Sequence, residues 1–551
     1  MSCGCGMGAL LVLVGVCFLA FWVHHSSVAS QTTGLSGIVV VDGSVFINGS
    51  ASIASVDDDF ICATLDYGPS DICYHGTCWG NATLFTLDLS NRILLNAIKA
   101  FSPLKIRMGG TLQDKLIYHV QGDGGPCKPH SINGSDFLGF SQGCLPMSRW
   151  DELNAFFKRA GAVVTFGLNA LYGRTVTSDG SVHGPWNSSN AEILLRYTVN
   201  KGYSIHGWEL GNELSGQGIG AKISAQQYAS DIKTLQNLLD DIYAGFEVKP
   251  LILAPGGFFE ANWFQDFVSH TTQMLQVVTH HVYSLGAGAN DNLISRILDP
   301  SYLNGVAQTF STLESILKNS GTSAVAWVGE AGGAYNSGHH LVTDAFVSSF
   351  WYLDQLAMAA TYNTKTYCRQ TLIGGGYGLL NSSTNQPNPD YYSALLWHRL
   401  MGNNVLFTNF TGTNKLRAYS HCSKNSTGVT LLLINLDGNT TAQVHVSTED
   451  IAGNGTLILQ PQIRSRKSKF SSISKGSIFD ANIREEYHLT AKDRDLGSQI
   501  TLLNGKILSV DSSGNIPALN PIKVSMSDPI LVASFSVVFA RFPRMNVTAC
   551  R

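Results

Sequence analysis

Between about residue 55 and residue 400, short apolar or β-branched runs alternate with longer stretches of helical period. The strand candidates are Phe60–Leu65, Leu104–Met108, Val163–Leu168, Ile205–Leu210, Pro250–Ala254, Val277–Tyr283, Ala324–Val328 and Thr366–Ile373. Amphipathic segments such as Asn91–Phe101, Trp150–Arg159, Ala191–Asn200, Ala225–Gly245 and Val342–Ala360 lie between them. Eight strands, each followed by a helix, predict a (β/α)8 barrel. A doubly wound sheet is the competing α/β fold, but no G-x-G-x-x-G follows the first strand. After residue 403 the pattern changes to strand-like runs, Leu416–Ser420, Val429–Asn435, Ala442–Val446, Ile500–Leu503 and Ile530–Ala540, divided by Gly, Asn, Asp and Ser turns. This predicts a C-terminal β-sandwich over 403–551 behind a barrel over 55–402. The strand-like Gly37–Ile47, within segment 31–54, is expected to add a strand to that sandwich. Residues 119–148, rich in Gly and Pro, read as a long barrel loop near the substrate face.

The N-terminal pattern differs again. Ala9–Val23 is apolar and uncharged, and Val28-Ala29-Ser30 ends on a small residue suited to signal-peptide cleavage, so residues 1–30 are expected to be a secretory signal. An uncleaved anchor is the alternative; the apolar run is shorter than the roughly 20 residues a bilayer span needs, and no later stretch is apolar enough to span. Peripheral attachment to a membrane stays open. Export to the cell exterior or to a lysosome or vacuole is the expected route. Of the 11 cysteines, the eight beyond residue 30 are Cys62, Cys73, Cys78, Cys127, Cys144, Cys368, Cys422 and Cys550, an even number that permits disulfides without revealing their pairing. Sequons at Asn48, Asn81, Asn133, Asn187, Asn381, Asn409, Asn425, Asn439, Asn454 and Asn546 fit the same route.

Composition narrows the class. Hydrophobic residues make up 44% and charged residues 14%, which excludes wholesale disorder. A formal charge of −3 lacks the attraction expected of a nucleic-acid binder, and the densest basic cluster, Arg464, Arg466, Lys467 and Lys469, reads as a solvated loop.

Catalytic groups of such barrels sit where strands end at the C-terminal face. Two candidate strands bring a glutamate there: the fourth, Trp208-Glu209-Leu210-Gly211-Asn212-Glu213, and the seventh, Trp327-Val328-Gly329-Glu330. Retaining glycoside hydrolysis needs one protonated carboxyl to expel the leaving oxygen and one ionised carboxyl to attack the anomeric carbon, about 5–5.5 Å apart. Asn212, beside Glu213, suits a sugar hydroxyl, which makes Glu213 the acid/base and Glu330 the nucleophile. Glu209 lies within its strand and is assigned to structure. His280, His281 and Tyr283 close the sixth strand, where they could orient the nucleophile and bond sugar hydroxyls. Zinc is the rival reading, but adjacent strand residues point to opposite faces, so no metal or other cofactor is expected. Arg107 through Thr111 and Phe166 through Asn169 end the second and third strands.

Taken together, LKIRMGGTLQD (Leu104–Asp114), FGLNAL (Phe166–Leu171), WNSSNAEILL (Trp186–Leu195), KGYSIHGWELGNE (Lys201–Glu213), THHVY (Thr279–Tyr283), WVGEAGGAY (Trp327–Tyr335) and RQTLIGGGYGLL (Arg369–Leu380) resemble the heparanase family of β-glucuronidases, glycoside hydrolase family 79, most of all its plant-type members. The resemblance implies a retaining mechanism with Glu213 as proton donor and Glu330 as nucleophile. It implies sugar contacts from Asp66, Thr111, Asn212 and Tyr283, and a glucuronate carboxylate received by Tyr335, Tyr377 and neighbouring backbone amides. It also implies a disulfide between Cys422 and Cys550. Asn336-Ser337 stand where the mammalian enzyme has two glycines, and Gly376 stands where relatives often carry Asn. The mammalian enzyme is basic around its cleft, whereas this chain is slightly acidic, so terminal glucuronic acid on a glycan or small aglycone is expected ahead of heparan sulfate cleavage. A heparanase-like endo-glucuronidase and a catalytically silent carbohydrate-binding relative are the alternatives. The loop at 119–148 replaces the excised linker of the mammalian precursor without an obvious processing signal, so an uncut chain is expected; a monomer is expected as well.

Overall fold

The computed structural model describes residues 39–68, 72–74, 77–119, 127–450, 455–458 and 482–551. The signal segment 1–30, the Asn454 sequon, the glycines at 122, 124 and 125, and the basic cluster at 464–469 lie outside these residues.

Eight parallel strands close into a barrel in chain order. They are β2 (Ile61–Leu65), β3 (Lys105–Met108), β4 (Val163–Leu168), β5 (Gly207–Leu210), β6 (Leu251–Phe258), β7 (Val277–His281), β8 (Val325–Ala331) and β9 (Thr366–Arg369), all following an N-terminal strand β1 (Val39–Ser55). Every residue of β2, β3, β5, β7 and β9 is buried, because helices cover the outer face while side chains fill the lumen, and this is why the strands read as unbroken apolar runs. Cys62 of β2 is bonded to Cys368 of β9, so a disulfide crosses the seam where the last barrel strand meets the first.

The outer helices are α1 (Arg92–Lys99), α2 (Met147–Ala160), α3 (Ser189–Asn200), α4 (Ala225–Ile242), α5 (Ala261–Thr271), α6 (Ala307–Ser320), α7 (Ser348–Thr361) and α8 (Pro389–Leu400). Asn91 and Ser224 cap α1 and α4 by accepting from Leu94 N and Gln227 N, and Gly161 and Gly321, at φ 67° and 70°, end α2 and α6. Helix α7 starts at Ser348, not at Val342, because Asp344 accepts hydrogen bonds from the Leu341 N–H (2.6 Å) and from Gln499 (2.9 Å) in the turn before it. Almost every residue of α7 and α8 is buried, since these helices share one apolar cluster with barrel strands and with Leu432, Ile434, Val537 and Phe539 beyond them. A helix covered all round shows no polar stripe.

The remaining strands are β10 (Met401–Thr411), β11 (Leu416–Ser423), β12 (Val429–Asn435), β13 (Thr440–Asp450), β14 (Gly455–Ile458), β15 (Ile483–Ala491), β16 (Thr501–Leu503), β17 (Lys506–Ile507), β18 (Ile522–Ser525), β19 (Ile530–Val532) and β20 (Ser536–Phe542). With β1 they form a single 12-stranded mixed sheet, ordered β14-β13-β1-β10-β11-β12-β20-β15-β16-β17, with β18 on β15 and β19 on β13. The sheet curls around a second apolar core made by Val45, Ile47, Val429, Leu431, Leu433, Val444, Val538 and Ala540. Alternate residues of β12, Leu432 and Ile434, face the barrel instead, so this strand is buried on both sides. The run Ile530–Ala540 is two strands, not one, because Phe535 adopts φ 48° between them.

Cys422 is bonded to Cys550, Cys73 to Cys78 and Cys127 to Cys144. Among the sequon asparagines described, Asn81, Asn133, Asn187, Asn409, Asn425, Asn439 and Asn546 are exposed, and Asn48 and Asn381 are half-buried. Among the described residues no helix is long and apolar enough to cross a membrane.

Candidate active site

The turn after β5 carries the first glutamate. Gly211 at φ 72° and Glu213 at φ 55° both adopt the left-handed conformation, an uncommon state for glutamate that needs support from its surroundings. That support is three hydrogen bonds: Gly211 N–H to Leu168 O at 2.9 Å, Asn212 N–H to Asp114 Oδ2 at 2.7 Å and Glu213 N–H to Gly256 O at 2.7 Å. Asp114 also accepts from Ala170 N–H at 2.7 Å, so one buried carboxyl ties together the turns that follow β3, β4 and β5.

Glu330 comes from β8. One oxygen of Glu213, one of Glu330 and a ring nitrogen of His281 all lie within 4.8 Å of one another, and all three residues are buried. Arg107 of β3 lies beneath them with each of its three guanidinium nitrogens engaged: Nε bonds Glu209 Oε2 at 2.7 Å, Nη1 bonds Glu330 Oε2 at 2.9 Å and Nη2 bonds Asn212 Oδ1 at 2.8 Å. Thr279 adds a 2.8 Å bond to the other oxygen of Glu209. Tyr283 donates to Glu330 Oε1 at 2.5 Å. Glu330 is therefore gripped from two sides, by a cation and by a phenol.

Glu213 has a different environment. Burial pushes its carboxyl up to about 7, against the pull of Arg107. Its Oε1 lies 2.9 Å from His281 Nδ1, and burial draws that imidazole down to about 4. A glutamate held protonated near neutrality beside a glutamate bonded to a guanidinium is the division of labour that acid/base and nucleophile require. The same three residues have the spacing of a metal site. Within that cluster His281 Nδ1 already bonds Glu213, and the Arg107 guanidinium on Glu330 opposes a second positive charge.

A cavity of about 450 Å³ opens over this pair. Asp66, Thr111, Tyr283, Tyr335 and Tyr377 line it, and Tyr335 is 43% exposed at its mouth. Burial, with the nearby Glu330 charge, raises the Asp66 carboxyl to about 7, although the Tyr67 N–H and Gln370 bond it. A larger cavity of about 640 Å³, between Asn81, Asn388 and His340, contains neither glutamate and is not the site of this chemistry.

The family model for the N-terminal domain of glycosyl hydrolase family 79 matches residues 42–357. The chain belongs to this family. It is 51% identical over 517 residues to Heparanase-like protein 3 of Arabidopsis thaliana, covering 94% of this chain and 96% of that one. It is 42% identical over 507 residues to Baicalin-beta-D-glucuronidase of Scutellaria baicalensis, covering 89% and 90%. Among solved structures, a 4-O-alpha-L-rhamnosyl-beta-D-glucuronidase from Fusarium oxysporum aligns with TM-score 0.61 and 15% identity over 90% of this chain and 100% of that one, a likeness of fold.

Within this family 79 chain, the structure departs from several sequence expectations. Gly376 is not at the cleft: its N–H donates to Ser337 O at 2.7 Å and its carbonyl accepts from Thr343, so it offers no amide to a ligand. Asn336 and Ser337 line the cleft at φ 58° and 64°, where their N–H groups bond no other described residue. His281 bonds Glu213 and not Glu330, which Tyr283 holds instead; His280 points the other way, against Phe259 and Phe310. Asn212 lies under the cleft wall with its oxygen on Arg107. Asn169 bonds the backbone of Leu116 and Leu171.

Three participants escaped the sequence reading. Gln370 follows the end of β9 and donates to Asp66 and to the Tyr377 hydroxyl, both at 3.3 Å, so the strand-end rule alone could have found it. Trp79 stands beside the Cys73–Cys78 hairpin and bonds Ser337 Oγ at 2.9 Å, with no periodic signal to mark it. Asp114 sits in a 3₁₀ turn at the edge of a recognised string.

Proposed function

We propose that the chain is a retaining β-glucuronidase of the secretory pathway, with Glu213 as acid/base and Glu330 as nucleophile. The approach of one oxygen of each carboxyl to within 4.8 Å supports this reading, since the carboxyls of an inverting pair stand about 6.5–9.5 Å apart to admit a water. In the first step a Glu330 oxygen bonds the anomeric carbon as the glycosidic bond breaks, and the Glu213 proton passes to the leaving oxygen. In the second, Glu213 takes a proton from water, whose oxygen displaces Glu330 and restores the β configuration.

Asp66 and Gln370 would hold ring hydroxyls. Tyr335, Tyr377 and the N–H groups of Asn336 and Ser337 would receive the glucuronate carboxylate, a set of neutral donors that recognises an anion through hydrogen bonds. The glucuronidase named among the relatives supports this substrate class. No lysine or arginine lines the described cleft, which favours terminal glucuronic acid over an internal position in a polysulfated chain. Four disulfides and seven exposed sequon asparagines support export to the cell exterior, a vacuole or a lysosome.

The test is hydrolysis of 4-nitrophenyl β-D-glucuronide by the purified protein, with the first-formed sugar followed by proton NMR. Release of the β anomer is expected. The α anomer would overturn retention, faster cleavage of the β-glucoside would overturn the uronide assignment, and binding without turnover would make the chain a silent relative.

A further inference from the structure

The groups that would receive a glucuronate carboxylate include one short segment after β8: Tyr335 and the N–H groups of Asn336 and Ser337. Asn336 and Ser337 both adopt the left-handed conformation, which residues other than glycine hold only where their surroundings impose it. The Ser337 carbonyl accepts from the Gly376 N–H at 2.7 Å, and the Ser337 side chain is the second point of attachment.

That side chain is held by Trp79. The indole Nε1 lies 2.9 Å from Ser337 Oγ in a buried bond, and the indole stands edge-on to Tyr377 with ring centres 6.3 Å apart. Trp79 belongs to neither a barrel strand nor an outer helix. It follows directly on the Cys73–Cys78 disulfide, and its N–H donates to Ile72 O at 2.9 Å, across the base of the same hairpin. Gly374, at φ 117°, makes room for the ring: a Cβ there would stand 2.5 Å from it. The hairpin, Gly374 and Ser337 thus fix one buried indole from three sides.

The direction of these bonds follows from the groups that make them. An indole N–H can only donate, so Ser337 Oγ accepts from it and the serine proton goes elsewhere. The Tyr377 phenol faces Ser337, and its oxygen accepts from Gln370 Nε2 at 3.3 Å. The Gln370 amide is held one way round, because its oxygen accepts from Thr64 while its nitrogen also donates to Asp66. A Tyr377 oxygen that receives protons from Ser337 and Gln370 has its own proton left to offer. Burial and the Glu330 charge push this phenol well above its ordinary value, so it keeps that proton.

We propose that Trp79 is a positioning residue for uronate recognition: its N–H sets the direction of a Trp79–Ser337–Tyr377 relay that aims the Tyr377 proton at the carboxylate and holds the left-handed Ser337 N–H open to it. This rests on the β-glucuronidase reading. With no lysine or arginine among its described lining residues, the cleft offers an anion only oriented dipoles. Dipoles aligned before the ligand arrives bind it more tightly than dipoles that must turn, and each bond in a one-way chain polarises the next. Trp79 therefore bears on the carboxylate end of the sugar and not on bond cleavage at the anomeric carbon.

The test is a double-mutant cycle in the full chain, with 4-nitrophenyl β-D-glucuronide as substrate. Trp79→Phe removes the N–H and keeps an aromatic ring against Gly374; Ser337→Ala removes the hydroxyl and leaves the backbone demand unchanged. Each is expected to raise KM about tenfold with kcat changed less than threefold, as suits a lost hydrogen bond that bears on a charged group. The double variant is expected to stand at about the same tenfold and not at a hundredfold, because both changes break one relay. Competitive inhibition by phenyl 1-thio-β-D-glucuronide should weaken by the same factor, and inhibition by the neutral phenyl 1-thio-β-D-glucoside should not. Losses that multiply, a fall in kcat in place of the rise in KM, or equal weakening with both thioglycosides would overturn the relay and leave the glucuronidase reading intact. Should Trp79→Phe fail to fold, Ser337→Ala decides alone, through KM and the two thioglycosides. A wild type that leaves the glucuronide uncleaved would overturn both.

Discussion

The Nδ1 of His281 lies 2.9 Å from the Oε1 of Glu213, with the imidazole shut off from solvent behind a carboxyl that lines the cleft. With the imidazole drawn down to about 4 and the carboxyl pushed up to about 7, the pair holds one proton between them over that interval, the proton that the proposed mechanism delivers to the leaving oxygen. In the proposed mechanism the active form is protonated Glu213, so activity should be lost as pH rises through its folded value. kcat/KM for a glucuronide measured from pH 4 to 9 is expected to fall above about pH 7, tenfold per unit at the steep end. A profile flat to pH 9 would contradict the assignment of Glu213.

The two glutamates are distinguished by truncation and azide. Glu213→Ala should lose about 10²–10⁴-fold in kcat/KM on substrates with poor leaving groups and far less on a 2,4-dinitrophenyl glucuronide. Azide should then capture the covalent intermediate as the β-glucuronyl azide. Glu330→Ala should lose about 10⁴-fold or more on every substrate, and azide should yield the α product. Mass spectrometry and NMR of the azides read the assignment, and exchanged stereochemistries would reverse the roles.

Glu209 touches no part of the cleft and is expected to matter through Arg107. Removing one member of a buried ion pair costs about 3–5 kcal/mol, so Glu209→Ala should show that loss in urea unfolding. kcat should fall more than KM rises, because the guanidinium it anchors also holds Glu330. Arg107→Met with Glu209→Met in one chain should cost less than the two single changes added.

Gly110 has φ 138°, and a Cβ placed on it would stand 2.5 Å from the Asp66 carboxyl. Gly110→Ala should therefore push Asp66 out of place and lower kcat/KM about 10²-fold, as misplacing a substrate-positioning group by about an ångström does. An unchanged far-UV spectrum would show that the barrel survives.

The Cys62–Cys368 bond closes a stretch of 306 residues. Cys62→Ala with Cys368→Ala should lower stability by about 2–4 kcal/mol, read as a reduced Tm under oxidising conditions.

The barrel was legible because each of its strands is a short run buried on both faces, and because β5 and β8 each bring a glutamate to the mouth. Helices α1 and α4 were legible through their amphipathic pattern, which reflects one-sided burial. Helix α8 was not, since neighbours cover it all round and erase the polar stripe that marks a surface helix. The order of the C-terminal sheet and the pairing of six cysteines were hidden because both are set by contacts distant in sequence. At the site, the strand-end rule located Arg107 and His281 but not their partners: the bond from His281 to Glu213 depends on the left-handed turn at Glu213, and Gly376 lost its expected role because Ser337 takes its N–H.

Strand β1 runs between β10 and β13, antiparallel to one and parallel to the other, so a piece synthesised before the barrel is held by pieces synthesised after it. On the ribosome the barrel strands can be complete while β1 still lacks both neighbours, and its unpaired edges stay open to other chains until residues beyond 440 emerge. Early arrest of translation therefore leaves an adhesive species even when every residue of the catalytic cleft has been made.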